Sequence, residues 1–485
     1  MSGLTRPDIE PIEPTARVEM FSERQLTRLR DATLAVLEET GVRFDSPQAL
    51  DILHGHGARV DADTRIVRLP ADLVERAMSH APRQFVLGAR DPSCDLDLGS
   101  GRTFATTDGC GTRIIDFETG EQRPTTKADV ADVSRLIDAL PGLAFWWPTV
   151  GAGDCGTTAQ LHEIEAGWNN TVKHLQGMVQ GGRQAELAVE MATAVAGGRQ
   201  ELRRRPVLSD LIGTVSPLVH DEDAIEAALV FAAAGVPVCF VSMPTLGTTA
   251  PATRAGAHVI GCAELVSGTV LLQLAHPGAP TMHAIMLSQI DPRSGAFMSF
   301  PLDARGHALA TALAHHWGVP SETATCGTDA LLPGTWQGGV EEAQDLMLGA
   351  LEGNELMPSI GLLATYQLFS AEHLILGHDI YQRARHAVLD VALGDDQLAL
   401  DVIADVGPGG HFLGHRHSRS NLRAATKFAV THAPDPAGGY LEPLLVARAE
   451  AARLLGDYEA EPLPPEVVAE LARIVAVADR ELSAT

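Results

Sequence analysis

Polar and aromatic side chains stand at the ends of short apolar runs in this sequence, where they could take part in chemistry. Asp108 directly follows the run Thr103–Thr107, and Asp329 follows Glu322–Gly327. A carboxylate can balance a positive charge, and an aromatic face attracts a quaternary ammonium by about 0.5–2 kcal/mol per contact. The sequence therefore predicts a binding site for a small cation. The residues that we predict to line it are Asp108, Trp147, His283, Asp329, Trp336, Gln337 and Tyr366, with His411 in the tail as a further candidate.

Several kinds of catalytic site are missing from the sequence. It has no HExxH motif, no Cys and His set with zinc-ligand spacing, and no G-x-S-x-G nucleophile elbow. The lysines are Lys127, Lys173 and Lys427, and none follows an apolar run as a Schiff-base lysine would. The Gly-rich stretches 151–153 and 407–410 lack the other residues of a dinucleotide or phosphate loop. These absences predict no protein-bound metal and a nucleophile supplied by another molecule.

Eight apolar runs alternate with amphipathic helical patterns such as Asp221–Ala234 and Val340–Leu351. Strands that are apolar throughout and separated by helices form parallel sheets covered on both faces. Eight such units predict an α/β fold of the (β/α)8 TIM barrel type, whose active site lies just after the carboxyl ends of the strands. The predicted strands are Thr103–Thr107, Leu143–Thr149, Lys173–Val179, Val207–Thr214, Pro237–Ser242, Thr281–Leu287, Glu322–Gly327 and Leu356–Gly361.

The barrel accounts for the middle of the chain. A typical barrel has about 250 residues, so a chain of 485 residues has room for additions at both ends. We predict a helical N-terminal extension packed on the barrel (1–101), the barrel itself (102–367) and a helical C-terminal extension (368–485) with a Gly-rich loop at 406–414.

Two of the candidate residues have alternative structural explanations. Because consecutive strand residues point in opposite directions, only one of Trp146 and Trp147 can face the inside of the barrel, and there it lines the site or fills the mouth. His283 alternates with Met282 and Ala284. We expect His283 to point into the barrel, either as a hydrogen-bonded core residue or as part of the site.

The balance of charges excludes some partners. The 36 basic residues against 62 acidic ones give a net charge of −26, which opposes binding to nucleic acid or to an anionic membrane. No stretch has 18 consecutive apolar residues, and Met1–Met20 has no signal-peptide pattern, so we expect a soluble cytoplasmic protein. The six cysteines are scattered singly, which is typical of reduced thiols in an intracellular enzyme.

One tail segment and several shorter motifs resemble a known family. Leu398–His417 (LALDVIADVGPGGHFLGHRH) is similar to the C-terminal signature of the trimethylamine methyltransferase family of corrinoid-dependent methyltransferases. The resemblance covers nearly the whole chain and implies a (β/α)8 barrel, which agrees with the strand count. The other matching segments are Glu38–Leu50, Phe117–Pro141, Ser216–Leu218, Met243–Ala257 and Thr328–Pro333.

The resemblance also implies a reaction. In this family the Co(I) of a corrinoid, carried by a separate small protein, accepts a methyl group from a methylated amine. The trimethylamine enzymes carry pyrrolysine, whereas this sequence has none and holds ordinary residues in the corresponding region, Thr328–Gln337. The chain therefore resembles the non-pyrrolysine members, which include glycine betaine methyltransferases.

We predict a methyltransferase that moves a methyl group from a small quaternary amine, glycine betaine or a relative, to the cobalamin of a cognate corrinoid protein. The alternatives are a sulfonium compound or a methylamine as donor, and a non-catalytic onium-binding barrel. A donor with a carboxylate needs a cation beside it, for which Arg293, Arg305 and His283 are the candidates near strand ends. Barrels of this class commonly self-associate, which predicts a homo-oligomer.

Overall fold

The computed structural model describes residues 4–298, 304–323, 327–389, 391–425 and 429–482, and it begins with short helices and strands. The Gln25 side chain accepts a hydrogen bond from the Ser22 N–H at the start of the first helix, and Ser46 accepts one from the Ala49 N–H at the start of the second. Such caps satisfy N–H groups that have no partner within the helix. The elements are α1 (Glu23–Ala35), β1 (Val42–Phe44), α2 (Pro47–Gly55), β2 (Arg59–Asp61), β3 (Ile66–Arg68), α3 (Ala71–Met78), β4 (Phe85–Leu87) and β5 (Leu96–Leu98).

From Phe104 to Ile360 the chain repeats a strand, a turn and a helix. The strands are β6 (Phe104–Thr107), β7 (Arg113–Ile115), β8 (Gln122–Pro124), β9 (Phe145–Trp146), β10 (His174–Gly177), β11 (Leu208–Gly213), β12 (Val219–His220), β13 (Val238–Ser242), β14 (Thr245–Leu246), β15 (Thr281–Ile285), β16 (Ser288–Ile290), β17 (Phe297–Met298) and β18 (Leu356–Ile360). The helices are α4 (Lys127–Ala139), α5 (Ala159–Asn170), α6 (Gly182–Ala196), α7 (Arg199–Arg204), α8 (Glu222–Ala234), α9 (Arg254–Ala275), α10 (Ala304–Trp317) and α11 (Trp336–Glu352).

The strands that open these units pair in parallel. β9, β10, β11, β13 and β15 form one sheet in that order, and β6 pairs with β18. Backbone hydrogen bonds outside the two sheets join them: the Ala144 N–H donates to the Ala105 carbonyl at 2.7 Å, and residues 321–322 bridge β15 on one side and β18 on the other. The predicted α/β fold is confirmed, with its parallel strands in two sheets rather than one continuous sheet.

The strands are shorter than predicted. Within the described residues, seven of the eight predicted runs contain a strand. The run Leu143–Thr149 narrows to β9, because Pro148 has no N–H to donate to a neighbouring strand. In the run Glu322–Gly327, Glu322 forms a bridge to Leu356, while residues 324–326 lie outside the described residues.

Alternate residues of the parallel strands face two different cores. Trp146 belongs to the large cluster shared with the surrounding helices, where its Nε1 donates to Ser134 of α4 at 2.7 Å. Trp147 faces the other way, because side chains alternate along a strand. It belongs to a second cluster, the inner core, whose buried members in or next to the parallel strands are Phe104, Ala144, Phe145, Trp147, Leu211, Cys239, Val241, Met282, Ala284, Met286 and Leu356. The expectation that only one of the two tryptophans faces inward is therefore confirmed.

The last part of the chain is mostly helical and packs on the preceding helices. Helix α12 packs on α11, α16 packs on α12 and α4, and α17 packs on α5 and α6. Apolar residues from both ends of the chain share one buried cluster with the middle. The division of the chain at residues 101 and 367 stays a prediction. The elements are β19 (Leu362–Leu363), β20 (Leu368–Phe369), α12 (Ala371–Val388), α13 (Asp395–Leu398), α14 (Leu400–Val406), α15 (Arg416–Ala425), α16 (Pro443–Asp457) and α17 (Pro465–Leu482).

Helix α9 is the most apolar long helix among the described residues. By length and composition it could cross a membrane, but 78% of its most apolar window is buried inside the protein. It packs against α1, α3 and strand β13. Such burial is typical of a helix in the core of a globular protein.

Candidate functional site

Asp108 follows β6 on the side of the strand that faces the inner core. Its side chain is buried, and Oδ1 accepts a hydrogen bond from the Gly109 N–H at 2.8 Å, while Oδ2 has no hydrogen-bond partner. Burial raises the pKa of Asp108 to about 7; the Gly109 N–H opposes this shift, and the Glu342 carboxylate adds to it. Buried polar atoms in proteins normally have partners. An unpartnered carboxylate oxygen therefore indicates a position at which a ligand is expected.

Two glycines, Gly327 and Gly109, pack so closely beside Asp108 that neither has room for a Cβ atom. A Cβ atom at Gly327 would stand 3.3 Å from Asp108 Oδ2 and 2.9 Å from the Leu362 carbonyl oxygen. A Cβ at Gly109 would stand 2.5 Å from Nε1 of Trp147, which is itself buried and without a hydrogen-bond partner. The absence of side chains at these two positions lets the indole ring pack directly on the backbone beside the carboxylate.

Cys110 follows Gly109 in the same segment, and it is not among the residues predicted from the sequence. Its Sγ lies 3.0 Å from Sδ of Met178, which follows β10. Solvent reaches Cys110, yet burial among protein atoms, together with the Glu163 and Asp108 carboxylates, raises the pKa of its thiol to about 12. A protonated thiol and a thioether are weakly polar groups that pack well around methyl groups.

Tyr366 is held by an unusual turn on the opposite side of Gly327. Ala364, Thr365 and Tyr366 have φ angles of 53°, 57° and 54°, a left-handed conformation that costs about 1–2 kcal/mol for each residue with a Cβ. The Thr365 hydroxyl donates to Oδ1 of Asp329 at 2.7 Å, which holds the turn in place. The Tyr366 ring packs against the inner core and meets Phe297 edge-on, with ring centroids 6.4 Å apart. Asp329 thus positions the turn that presents Tyr366.

Glu341 joins two other predicted residues into one network. Its carboxylate accepts hydrogen bonds from the Thr328 hydroxyl, from the Asp329 N–H at 3.0 Å and from the Gln337 side chain at 2.9 Å. Gln337 itself is exposed. Asp329 and Gln337 therefore lie together through Glu341, to which the Gln337 amide is committed.

Three predicted residues do not join this group. Trp336, at the start of α11, is 82% exposed, and His411 is exposed in the loop between α14 and α15. The expectation that His283 points into the barrel is wrong: its Nε2 lies 2.9 Å from the Thr269 hydroxyl of α9, on the helix side of the strand. Burial lowers the pKa of His283 to about 3, so its ring is neutral at physiological pH. The contacts of the described residues connect neither His411 nor His283 with Asp108.

Glu322 and Gln176 form a polar pair deeper among the strands, which the sequence analysis also missed. Gln176 Nε2 donates to Glu322 at 2.7 Å, although the two residues lie on strands that are not neighbours. Burial raises the pKa of Glu322 to about 7, and hydrogen bonds from Gln176 and Cys239 oppose the shift. Gln176 and Glu322 stand within two of the predicted runs, which also contain other polar residues, so the sequence did not mark this pair out.

A third carboxylate, Glu264 of α9, explains the Ser216–Leu218 motif. It accepts hydrogen bonds from four groups that follow β11 and β13. These are the Thr214 hydroxyl (2.6 Å), the Ser216 hydroxyl (2.9 Å), the Ser242 hydroxyl (2.6 Å) and the Leu218 N–H (2.8 Å). This carboxylate is fully occupied by the protein, and it stabilises the loop after β11.

Among the described residues, no group of three or more His, Cys, Asp or Glu side chains could hold a metal ion. The arrangement around Asp108 instead suits a small cation. It combines a buried carboxylate with a free oxygen, the packed indole of Trp147 and the ring of Tyr366.

Comparison with known proteins relates the whole chain to one group of enzymes. The profile of the family described as "Trimethylamine methyltransferase (MTTB)" matches residues 5–483. A trimethylamine methyltransferase from Desulfitobacterium hafniense is 33% identical over 464 residues, which are 94% of this chain and 93% of that protein. A glycine betaine methyltransferase from another strain of the same species is 29% identical, over 96% of this chain and 98% of its own.

Among solved structures, the chain is similar to the monomethylamine methyltransferase of Methanosarcina barkeri. The two share 13% sequence identity with a TM-score of 0.47, over 92% of this chain and 90% of that one. This score is too low to support an argument about the fold or the site.

Proposed function

Because the chain belongs to the trimethylamine methyltransferase family and is a methyltransferase, we propose that it moves a methyl group from a small quaternary amine to the corrinoid of a separate cognate protein. Two relatives are named for trimethylamine and for glycine betaine, which supports a methylated amine as the donor. The observation that carries the proposal is Asp108, a buried carboxylate with an unpartnered oxygen beside the indole of Trp147.

A quaternary ammonium group fits this environment for a physical reason. It has no N–H to donate, so a protein can attract it only through charge and through aromatic faces. Asp108 provides the charge, and Trp147 and Tyr366 provide the faces. A cation bound there compensates the cost of burying the carboxylate, because an opposite charge favours the ionised form of Asp108.

The reaction needs no acid, base or metal from this chain. A reduced corrinoid, when its carrier protein is bound, supplies the nucleophile that takes the methyl group. The C–N bond breaks with its electron pair remaining on nitrogen, so the amine leaves as a neutral molecule and no proton moves. The work of the chain is to orient one methyl group and to exclude water from it, which can lower a barrier by roughly 7–11 kcal/mol in favourable cases.

The surroundings of the site fit an acceptor that another protein carries. Solvent reaches the strand ends at Cys110 and at Met243, which is 41% exposed, so a group on a partner can reach a methyl held there. Leu331, Leu332 and Trp336, in and just after the loop that carries Asp329, are 67%, 60% and 82% exposed. We name these three residues the apolar rim. Exposed apolar patches of this kind support a protein–protein contact.

We also propose that the parallel strands close into an eight-stranded barrel with helical extensions at both ends. Three observations support it. Ala144 bonds to Ala105 between β9 and β6, residues 321–322 bridge β15 and β18, and Gln176 reaches Glu322 between strands that are not neighbours. In a barrel of this type, side chains from alternate strands meet in layers across the interior.

The proposal also covers the cellular location and the oligomeric state of the enzyme. We propose a soluble cytoplasmic enzyme that does not bind nucleic acid, which the net charge of −26 supports. We also propose a homo-oligomer. Its support is the run of exposed apolar side chains between α12 and α15: Leu389, Val391, Leu393, Leu398, Leu400, Ile403, Phe412 and Leu413.

The test is a methyl-transfer assay with purified protein and a corrinoid protein kept in its reduced state. We expect one quaternary amine of a small panel to lose a methyl group, detected as the demethylated amine by mass spectrometry and as a change in corrinoid absorbance. The Asp108→Asn variant, which keeps the shape of the side chain, serves as the matched control. The proposal fails if the protein binds no onium compound and transfers no methyl group from any of them.

A further inference from the structure

We propose that the methyl donor of this enzyme is a quaternary cation without a carboxylate, so that glycine betaine is discriminated against. The inference rests on the proposed function and concerns the charge of the donor. The part of the donor that does not react is then neutral, as in choline or a simple alkyl trimethylammonium ion.

Among the described residues, the charged groups that act on Asp108 and Cys110, where a donor would bind, are acids. Asp108, Glu342 and Glu163 all influence this region: Glu342 acts on Asp108, and Asp108 and Glu163 act on Cys110. Besides burial, the groups that shift the pKa of Asp108 are the Gly109 N–H and Glu342, and Glu163 is shifted by burial and the Ala152 N–H. No cation is among them. A second negative charge placed here would meet like charges in a buried setting, which is strongly unfavourable.

Two of the three candidate cations near strand ends are engaged or neutral. Arg293 has an 88% exposed side chain and pairs with Asp291 at 3.0 Å. His283 lies on the helix side of its strand in the neutral form. His373, of α12, has Nε2 2.9 Å from Oε1 of Glu342, so its ring is engaged with that acid. Arg305 is exposed near the start of α10, and it provides a control.

Backbone N–H groups can also bind a carboxylate. Near the strand ends, the protein's own acids already take them. Asp108 takes the Gly109 N–H at 2.8 Å, Glu163 takes the Ala152 N–H at 2.9 Å, and Glu341 takes the Asp329 N–H at 3.0 Å. The loop segments 299–303 and 324–326, outside the described residues, contain no Lys, Arg or His. A donor carboxylate would therefore lose its water without gaining a partner from these groups.

The experiment compares three compounds that share one trimethylammonium group. Choline carries a neutral hydroxyl, glycine betaine carries a carboxylate, and the methyl ester of glycine betaine has the shape of the betaine without its negative charge. Isothermal titration with the whole protein at pH 8 measures each Kd, and the methyl-transfer assay then ranks kcat/KM. We expect choline and the ester to bind at least tenfold more tightly than glycine betaine, and to be the better donors.

Two variants show whether the acids cause the discrimination. Asp108→Asn removes one negative charge, so the ratio of betaine Kd to ester Kd is expected to fall several-fold. A merely structural role of Asp108 would change both constants alike and leave that ratio unchanged. Arg305→Ala is expected to leave the ratio unchanged, whereas a role for Arg305 in holding a carboxylate would raise it.

The outcomes separate this inference from the function on which it rests. Methyl transfer from choline or the ester with weak binding of glycine betaine supports both. If glycine betaine binds as tightly as its ester and donates a methyl group, the inference is overturned and the methyl-transfer function stands. If none of the three compounds binds or donates, both are overturned.

Discussion

Two buried carboxylates near the strand ends, Glu264 and Asp108, differ in what surrounds them. Glu264 is fully buried and accepts hydrogen bonds from four groups of the protein, at 2.6–2.9 Å. Asp108 is 4% exposed and accepts one, from its neighbour Gly109, while its second oxygen has none. Asp108 directly follows β6, and Glu264 reaches the ends of β11 and β13 from helix α9, so closeness to strand ends alone does not distinguish their roles.

The difference shows how to separate a structural acid from a binding acid. A buried charge is tolerated when hydrogen bonds replace the water that it lost, and Glu264 meets this condition within the protein. Asp108 does not meet it, and its raised pKa expresses the cost. A buried carboxyl group that is left short of hydrogen-bond partners is therefore the better candidate for ligand binding.

The largest expected effect is on the stability of the protein when Glu264 is removed. Glu264→Ala leaves the Ser242 hydroxyl and the Leu218 N–H without their acceptor, and the Thr214 hydroxyl keeps only its longer contact with the Val241 carbonyl at 3.3 Å. We expect the free energy of unfolding to fall by roughly 3–5 kcal/mol, since each unsatisfied buried donor costs about 1–3 kcal/mol. Urea denaturation measures the change. Glu264→Gln, which keeps one carbonyl acceptor, should lose less stability. An unchanged denaturation midpoint in both variants would show that Glu264 is not a structural acid.

The second prediction is the reverse pattern for Asp108. Asp108→Asn is expected to leave the denaturation midpoint unchanged or higher, because a buried carboxyl with one hydrogen bond does little to stabilise the fold. The kcat/KM for a quaternary donor should fall about 100-fold, or roughly 2.7 kcal/mol, since the cation loses its counter-charge. Steady-state kinetics and denaturation on the same preparation test both parts. A loss of stability as large as that of Glu264→Ala would make Asp108 a structural residue instead.

The third prediction concerns pH. Because burial raises the pKa of Asp108 to about 7, the folded protein holds this proton more tightly than the unfolded chain. The resulting stability is fully present below the ordinary aspartate pKa and is lost as the pH rises through about 7. We therefore expect the Tm of the unliganded protein to decline between pH 5 and pH 8, and less steeply in Asp108→Asn. The remaining slope reflects Glu163 and Glu322, whose raised pKa values act in the same direction.

Donor binding should show the opposite dependence on pH. The affinity for a permanently charged ammonium should rise up to about tenfold per unit below pH 7 and level off above it, because the ionised carboxylate attracts the cation. Titrations between pH 5.5 and 8.5 measure this trend. An affinity that does not depend on pH in the wild-type protein would argue against a contact with Asp108.

The smallest expected effect is at the apolar rim. Trp336 is 82% exposed, so Trp336→Ala should change the free energy of unfolding by less than about 0.5 kcal/mol. If a corrinoid protein docks there, its KM should rise about fivefold, while the Kd of the donor stays the same. Val86→Ala is the matched control, because Val86 is 41% exposed on β4. It lies two residues before Gly88, whose N–H donates to the Pro206 carbonyl just before β11. An equal change in both variants would contradict a specific role for the rim.

The period of the apolar residues predicted the helices and strands well and the candidate site less well. The parallel strands could be predicted because their runs are apolar throughout, and the caps at Ser46 and Thr126 mark helix starts. Of the predicted residues, Asp108 lies beside Gly109, on which Trp147 packs, and Asp329 holds the turn that carries Tyr366. His283 was misassigned because alternation along a strand says which residues share a face but not which face is inside.

Residue types and spacing determined the fold class, the strand–helix alternation and the lack of a lysine at any predicted strand end, because these depend on local chemistry and on the period of the apolar pattern. The tertiary structure decided which carboxylates the protein satisfies for itself. Glu264 meets Ser216 and Ser242 from another element, whereas Oδ2 of Asp108 finds no donor, although Gly327, more than 200 positions away in sequence, packs beside it. Hydrogen-bond satisfaction and the space around a charge are set by residues distant in sequence, so only the folded chain separates a structural acid from a binding one.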